Sequence, residues 1–218
     1  MPTHKITKKH RNIFLLFLVL ITIILFFNGI KNNISGSKDV VELANGTYKV
    51  GSAIKAGRYI VTTENVDGGN LFNSDNDETS LINVILGKYV NNDLGTVDSY
   101  TVTLKKGEKI TLTQYQNDEK KEKSPVTTKF SPTNAKRKYQ TKLSAGSWVV
   151  GKDIKPGKYV IYANEGRGLL INNNGSLNQN LSKDAQPDID EVTKITTRLY
   201  RGEVLYSNLK SITLKKIN

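Results

Sequence analysis

Apolar side chains follow two regimes along this sequence. From Ile13 to Phe27 the chain reads IFLLFLVLITIILFF, fifteen residues with Thr22 the single polar one, and extension to Ile30 makes eighteen. At ~1.5 Å rise per residue such a helix spans roughly 22–27 Å, a little short of a ~30 Å hydrocarbon core. A segment apolar on every face does not suit the surface of a globular domain. The residues before it include Lys5, Lys8, Lys9 and Arg11 and no acid. We expect a membrane-spanning signal anchor at 13–30, with the basic tail 1–12 in the cytoplasm, a spacer at 31–42 and the rest of the chain outside. A cleaved secretory signal starts in the same way, but the following NGIKNNISGS has no A-x-A pattern and no Cys for lipid attachment.

Beyond residue 42 the apolar positions fall into short alternating runs, and they occur twice. Leu43–Val61 reads LANGTYKVGSAIKAGRYIV and Leu143–Ile161 reads LSAGSWVVGKDIKPGKYVI. At an offset of 100 without gaps, eight of nineteen positions are identical, including Gly46/Gly146, Gly51/Gly151, Gly57/Gly157 and Tyr59/Tyr159, with Tyr48/Trp148 a similar pair. Leu104–Glu108 and Leu199–Glu203 match again at an offset of 95. Tyr48 and Val50 alternate with polar residues, as on a half-buried strand. Gly51 and Gly151 end that strand at a sharp turn. Lys155-Pro156-Gly157-Lys158 fits a type II turn. Later strands are expected at 81–86, 96–104, 109–114 and 126–130, then at 168–171, 191–199, 203–207 and 211–214. Glu108 and Glu203 are read as solvent-facing residues of Gly-Glu turns. No sustained 3.6-residue period occurs outside the anchor. The prediction is all-β: two tandem small antiparallel sandwich or jelly-roll-like modules, 43–130 and 143–218, joined by a linker at 131–142.

The repeated pattern resembles tandem G-x-Y/W-x-V-G-x-D-I-x-P-G-x-Y modules in secreted and lipid-anchored surface proteins of Gram-positive bacteria. The resemblance covers about two thirds of the chain. The second copy, with Asp153, Ile154 and Pro156, fits better than the first, which has Ala53 and Ala56. What it implies is a surface-exposed module; it brings no catalytic residue with it.

Composition narrows the chemistry. The chain has no Cys, and its only histidines, His4 and His10, precede the apolar run. That excludes a disulfide scaffold, a thiol nucleophile, a Cys-ligated zinc site and a Ser–His–Asp triad downstream. The net charge is +12, of which ten units lie in residues 1–12, 28–36 and 115–142, whereas 37–114 holds 8 basic and 10 acidic residues. That distribution does not suit nucleic acid, and none is expected as a partner. The basic run Lys136-Arg137-Lys138, with Tyr139, Tyr162 and Tyr200, is the candidate surface for anionic cell-wall polymers or an envelope protein. Tyr48, Trp148, Tyr59 and Tyr159 recur beside alternating aliphatics and are read as core.

Asn73, Asp75 and Asp77 place oxygens at alternate positions as a calcium loop does. Glu78 stands where that loop needs Gly, and Val84 where it needs a bidentate Glu. A solvated loop is therefore expected there, with no metal and no cofactor. The acids are scattered, and the sequence alone does not pair any two of them as hydrolase carboxylates. The expected function is non-catalytic binding or scaffolding at the bacterial cell envelope, with the bilayer held through 13–30. The alternatives are an accessory subunit of a membrane secretion, conjugation or phage-related assembly, and a hydrolase of wall polymers.

Overall fold

A computed structural model describes residues 39–73, 81–115, 126–133 and 138–218. The expected tail and anchor, most of the spacer, Asp75, Asp77, Lys136 and Arg137 lie outside the described residues. Among those described, no helix is long and apolar enough to cross a membrane.

The described chain is almost entirely β. Its first half holds β1 (Val41–Leu43), β2 (Gly46–Lys49), β3 (Gly57–Thr63), β4 (Gly69–Asn73), β5 (Asn83–Leu86), β6 (Thr96–Val97), β7 (Tyr100–Leu104), β8 (Lys109–Gln114) and β9 (Thr128–Pro132). The second holds β10 (Lys142–Val149), β11 (Gly157–Glu165), β12 (Arg167–Asn172), β13 (Asn178–Ser182), β14 (Glu191–Val192), β15 (Lys194–Leu199) and β16 (Val204–Ile217). A short 3-10 turn, Pro187–Ile189, precedes β14.

Two sheets result. One has five strands in the order β2-β8-β4-β5-β6. The other has eleven: β1-β9-β3-β7-β10-β16-β12-β13-β14, with β11 between β15 and β16 off this path. The first core lies between the five-strand sheet, through Leu71, Val84, Ile110 and Leu112, and the β1-β9-β3-β7 part of the larger one, through Tyr59, Val61, Tyr100, Val102 and Phe130. The second core gathers Leu143, Trp148, Tyr159, Ile161, Leu170, Leu181, Leu205 and Leu214. Strand β16 serves both of its layers: Val204–Ser207 pair with β10, and Leu205–Ser207 also with β12, whereas Ser211–Ile217 pair with β11, and Ser211–Thr213 also with the start of β10. A register shift in β10 between Ser144 and Gly146 absorbs the bend.

The glycines of the repeat have a common physical cause. In each Gly-x-aromatic unit the aromatic at i+2 donates to the carbonyl at i−2, and at Gly46 and Gly57 its ring leans back over the bare glycine. Tyr48 Oη reaches Ala44 O at 3.0 Å, Trp148 Nε1 reaches Ser144 O at 3.0 Å, Tyr59 Oη reaches Lys55 O at 2.7 Å and Tyr159 Oη reaches Lys155 O at 2.5 Å. A Cβ on Gly46 or Gly57 would lie 3.3 Å from the ring or hydroxyl above it. Positions i−2, i and i+2 share one face of a strand, so the spacing follows from the pleat.

The turns also match across the halves. Gly51 N donates to Ile54 O at 2.6 Å, and Gly151 N to Ile154 O at 2.7 Å. Val50 N donates to Glu108 O at 2.8 Å, and Val150 N to Glu203 O at 2.9 Å. Glu108 and Glu203 are buried rather than solvent-facing. Each carboxylate turns back to accept an amide, that of Lys105 at 2.6 Å or of Tyr200 at 2.9 Å.

Several expectations about elements change. Gly157 does not occupy the third position of a type II turn; it opens β11 with φ +155°, as Gly57 opens β3. One fourteen-residue strand, β16, replaces the two expected. Strands β4 (GNLFN) and β13 (NQNLS) went unforeseen because polar residues interrupt their alternation. Segments 96–104 and 191–199 each hold two strands rather than one. Strand β1 starts within the stretch read as spacer, β9 ends at Pro132, and β10 starts at Lys142.

Candidate binding groove between the halves

The halves meet along one narrow seam. Strands β7 and β10 run parallel there and share a single pair, Thr101 and Gly146. Ala145 and Tyr206, from the second half, complete the first core. Around the seam, Arg58 lies over the Trp148 ring at 4.9 Å and places Nη1 3.7 Å from the buried Asp153 carboxylate. The same nitrogen donates to Thr103 Oγ1 at 3.0 Å and to Ser147 O at 3.4 Å. Asn208 Nδ2 donates to Asn83 O at 2.8 Å, and Lys210 pairs with Asp98.

Two cavities open on this seam, and both are walled by both halves. One, about 350 Å³, is lined by Ile82, Thr103, Lys105, Ser147, Lys152 and Tyr206, among others. The other, about 320 Å³, is lined by Asn73, Asn83, Leu169, Ile171 and Asn208, with Ile82 and Tyr206 shared. Ile82 and Tyr206, both buried, thus form the partition of one groove. A more open hollow of about 530 Å³, lined by Lys138, Tyr139, Gly151 and Lys152, adjoins it through Lys152. The groove therefore has a basic end, with exposed Lys105 and Lys152 beside the hydroxyls of Thr103 and Ser147, and an amide-lined end. Two ammonium groups over hydroxyl donors suit an anionic group; asparagines beside aliphatics suit a polar, uncharged segment.

Tyr100 lies under the seam. Its hydroxyl is fully buried with no hydrogen-bond partner among the described residues. Burial pushes this phenol well above its usual 10.0, and the Tyr206 phenol adds to the shift. Above about pH 10 the unfolded chain would lose this proton while the folded chain keeps it, so the folded state binds more protons and stability falls as pH rises. Tyr100→Phe is expected to hold or raise stability at pH 7, by up to about 1 kcal/mol, because an unsatisfied hydroxyl is removed. The same change should lessen the alkaline loss, as urea unfolding at pH 7 and pH 10.5 would measure.

The sequence-selected residues are distributed as follows. Lys138 and Tyr139 come together with Gly151 at the open hollow. Tyr200 is exposed on the Leu199–Glu203 turn and is not among the residues lining the two cavities. Tyr162 is half-buried on β11, with the Lys194 ammonium 5.9 Å from its ring. Asn73 ends β4; its Oδ1 accepts the Ile82 amide at 3.1 Å and so closes the β4–β5 hairpin. Tyr59, Tyr159 and Trp148 are buried, and Tyr48 packs half-buried against the first core. Pro156 precedes Gly157 at the entry to β11. Gly46, Gly51, Gly146 and Gly151 all have positive φ. Among the described residues, no group of three or more His, Cys, Asp or Glu side chains comes close enough to hold a metal ion.

Sequence reasoning missed Lys105, Lys152 and Tyr206. A signal existed for Tyr206, which corresponds at the 95-residue offset to Thr111, an unusual exchange for a mere copy. No family model matches the chain, and neither a curated protein nor a solved structure is similar to it.

Proposed function

We propose that this chain is a non-catalytic binding protein of the bacterial cell envelope. In this reading residues 13–30 form one transmembrane helix with the N-terminus inside, and the two halves are tandem copies of one β-module standing outside the cell. The observation that carries the binding role is the groove whose walls come from both copies, with Lys105 and Lys152 at its basic end. A lone module would lack it. Its ligand is an anionic group of an envelope polymer, held by the two ammonium groups and the neighbouring hydroxyls. The basic tail, the apolar run and the resemblance to Gram-positive surface modules support the location.

Because the chain has no Cys, single cysteines report cleanly. In intact cells a membrane-impermeant maleimide is expected to label Lys183→Cys and to miss Lys5→Cys. The reverse pattern overturns the orientation. Purified wall fragments should retain the wild-type chain more strongly than Lys105→Ser/Lys152→Ser; equal retention removes the groove from the account.

A further inference from the structure

The outer face of the three strands β15, β11 and β16, continued by the start of β10, is strongly basic. The register places Arg198 opposite Lys158, Val160 opposite both Thr196 and Lys215, and Tyr162 opposite both Lys194 and Thr213. Thr213 in turn lies opposite Lys142. Residues directly opposite in antiparallel strands share a face. Five cations, Lys142, Lys158, Lys194, Arg198 and Lys215, therefore project from one surface, and all are exposed. These rows carry no carboxylate; Glu165 marks their far end, opposite Ser211. Among the described residues, none of the five cations makes an ion pair.

The first half serves as an internal control. Its corresponding rows pair Arg58 with Thr103, Ile60 with Thr101 and Ser131, and Lys129 with Glu42. Where the second half has Arg198, Lys215 and Lys142, the first has Thr103, Ser131 and Glu42. At the offset that joins Leu104 to Leu199, Lys194 replaces Ser99. The same strand framework thus forms with two cations and one acid on this face, and Arg58 is engaged at the seam. Folding does not call for the extra charge. Lys158 and Arg198 even face each other directly, an unfavourable like-charge pair unless an anion lies between them.

We infer that this face binds a linear, base-free phosphodiester polyanion of the poly(glycerol phosphate) type. Arg198, Lys158, Lys215 and Lys142 step diagonally across four adjacent strands. With strands ~4.8 Å apart and alternate residues ~6.6 Å apart, the steps run about 5–8 Å. That line suits a flexible chain with a phosphate in every short repeat. Nucleobases would call for open aromatic stacking platforms. The single aromatic in these rows, Tyr162, has an ammonium group beside its ring instead. The inference deepens the envelope reading, on which it depends for the source of the polymer; binding itself is measured with purified components, so the two can fail separately.

The test uses the full chain in a non-ionic detergent and a short synthetic poly(glycerol phosphate), read by calorimetry. Arg198→Thr/Lys194→Ser/Lys215→Ser installs the first half's residues, which the framework already accommodates. A control, Lys49→Ser/Lys55→Ser/Lys183→Ser, removes the same charge elsewhere. The face variant is expected to lose about tenfold or more in affinity at 0.15 M salt and to flatten the dependence of affinity on salt, while the control stays within about threefold. Equal losses in the two variants would reduce the effect to diffuse charge and overturn the proposal. So would tighter binding to oligothymidylate, or to phosphatidylglycerol carried in micelles of the same detergent, than to the polymer. Circular dichroism of the variants confirms the fold in each arm.

Discussion

Gly146→Ala is expected to destabilise the protein by about 3–5 kcal/mol, whereas Gly46→Ala, at the equivalent position of the first half, should cost about 1–2 kcal/mol. Both glycines adopt nearly the same backbone, φ +153° and +149°, so both pay for a conformation that side chains rarely take. They differ in what a Cβ would meet. At Gly46 the nearest atom is the Tyr48 hydroxyl at 3.3 Å, the far end of a side chain. At Gly146 it is Thr101 O at 2.5 Å, with Thr101 Cβ at 2.9 Å and Thr101 N at 3.1 Å. Those atoms belong to β7, whose position is set by its pairing with β3. The added methyl can be accommodated only by parting β7 from β10, and Thr101–Gly146 is their single pair. Urea unfolding of both variants checks this. Similar midpoint shifts would mean that the seam tolerates separation and that the close approach at Gly146 contributes little.

The comparison also shows what the sequence can convey about this fold. Identical positions in the two copies report the local framework, because each serves the same contact twice: Gly-x-aromatic for the ring over bare backbone, Gly51 and Gly151 for the turn, and Gly107-Glu108 and Gly202-Glu203 for the hairpin closed by a carboxylate. Such contacts lie within a few residues or between adjacent strands, so alternation and turn chemistry reveal them. The seam is a different matter. Several of its residues are positions at which the repeated segments differ, Ala145 for Asn45, Asp153 for Ala53 and Tyr206 for Thr111, although Gly146 at the closest approach is shared with Gly46. Where two segments of similar sequence meet at one interface, each needs to change on one side only. Divergence between otherwise similar segments therefore marks part of the surface where they touch, a signal that hydrophobic periodicity does not contain.

The groove was less legible for the same reason. Lys105 and Lys152 sit on turns of different halves, 47 positions apart in the numbering, and only the parallel β7–β10 contact brings them to one cavity. The basic face of the second half was partly legible. Tyr162 belongs to the candidate surface read from the sequence, but the cations around it come from four strands whose register the sequence does not state. Charge summed by segment placed most of the excess in the linker and tail; summed by face, it gathers on β15, β11, β16 and β10.

Asp153→Ala is expected to destabilise the protein by about 2–4 kcal/mol. Asp153 is 1% exposed, and its Oδ2 accepts the Val149 amide at 2.8 Å while standing 3.7 Å from Arg58 Nη1. Truncation leaves an amide without its acceptor and a guanidinium, 12% exposed, without its anion. Hydrogen bonds to Thr103 and Ser147 and the Trp148 face remain, which keeps the cost below that of stripping a buried charge completely. The amide and the charge can be separated. Asp153→Asn preserves an acceptor for Val149 and removes the charge alone, so its cost, about 1–2 kcal/mol, reports the attraction across the seam. Arg58→Met/Asp153→Asn should then be less harmful than the sum of its parts by about 1 kcal/mol, since each single change has already forfeited the pair. Strict additivity in that double-mutant cycle would mean that Arg58 and Asp153 act on the fold independently, and that the attraction between their charges adds nothing to the junction of the halves.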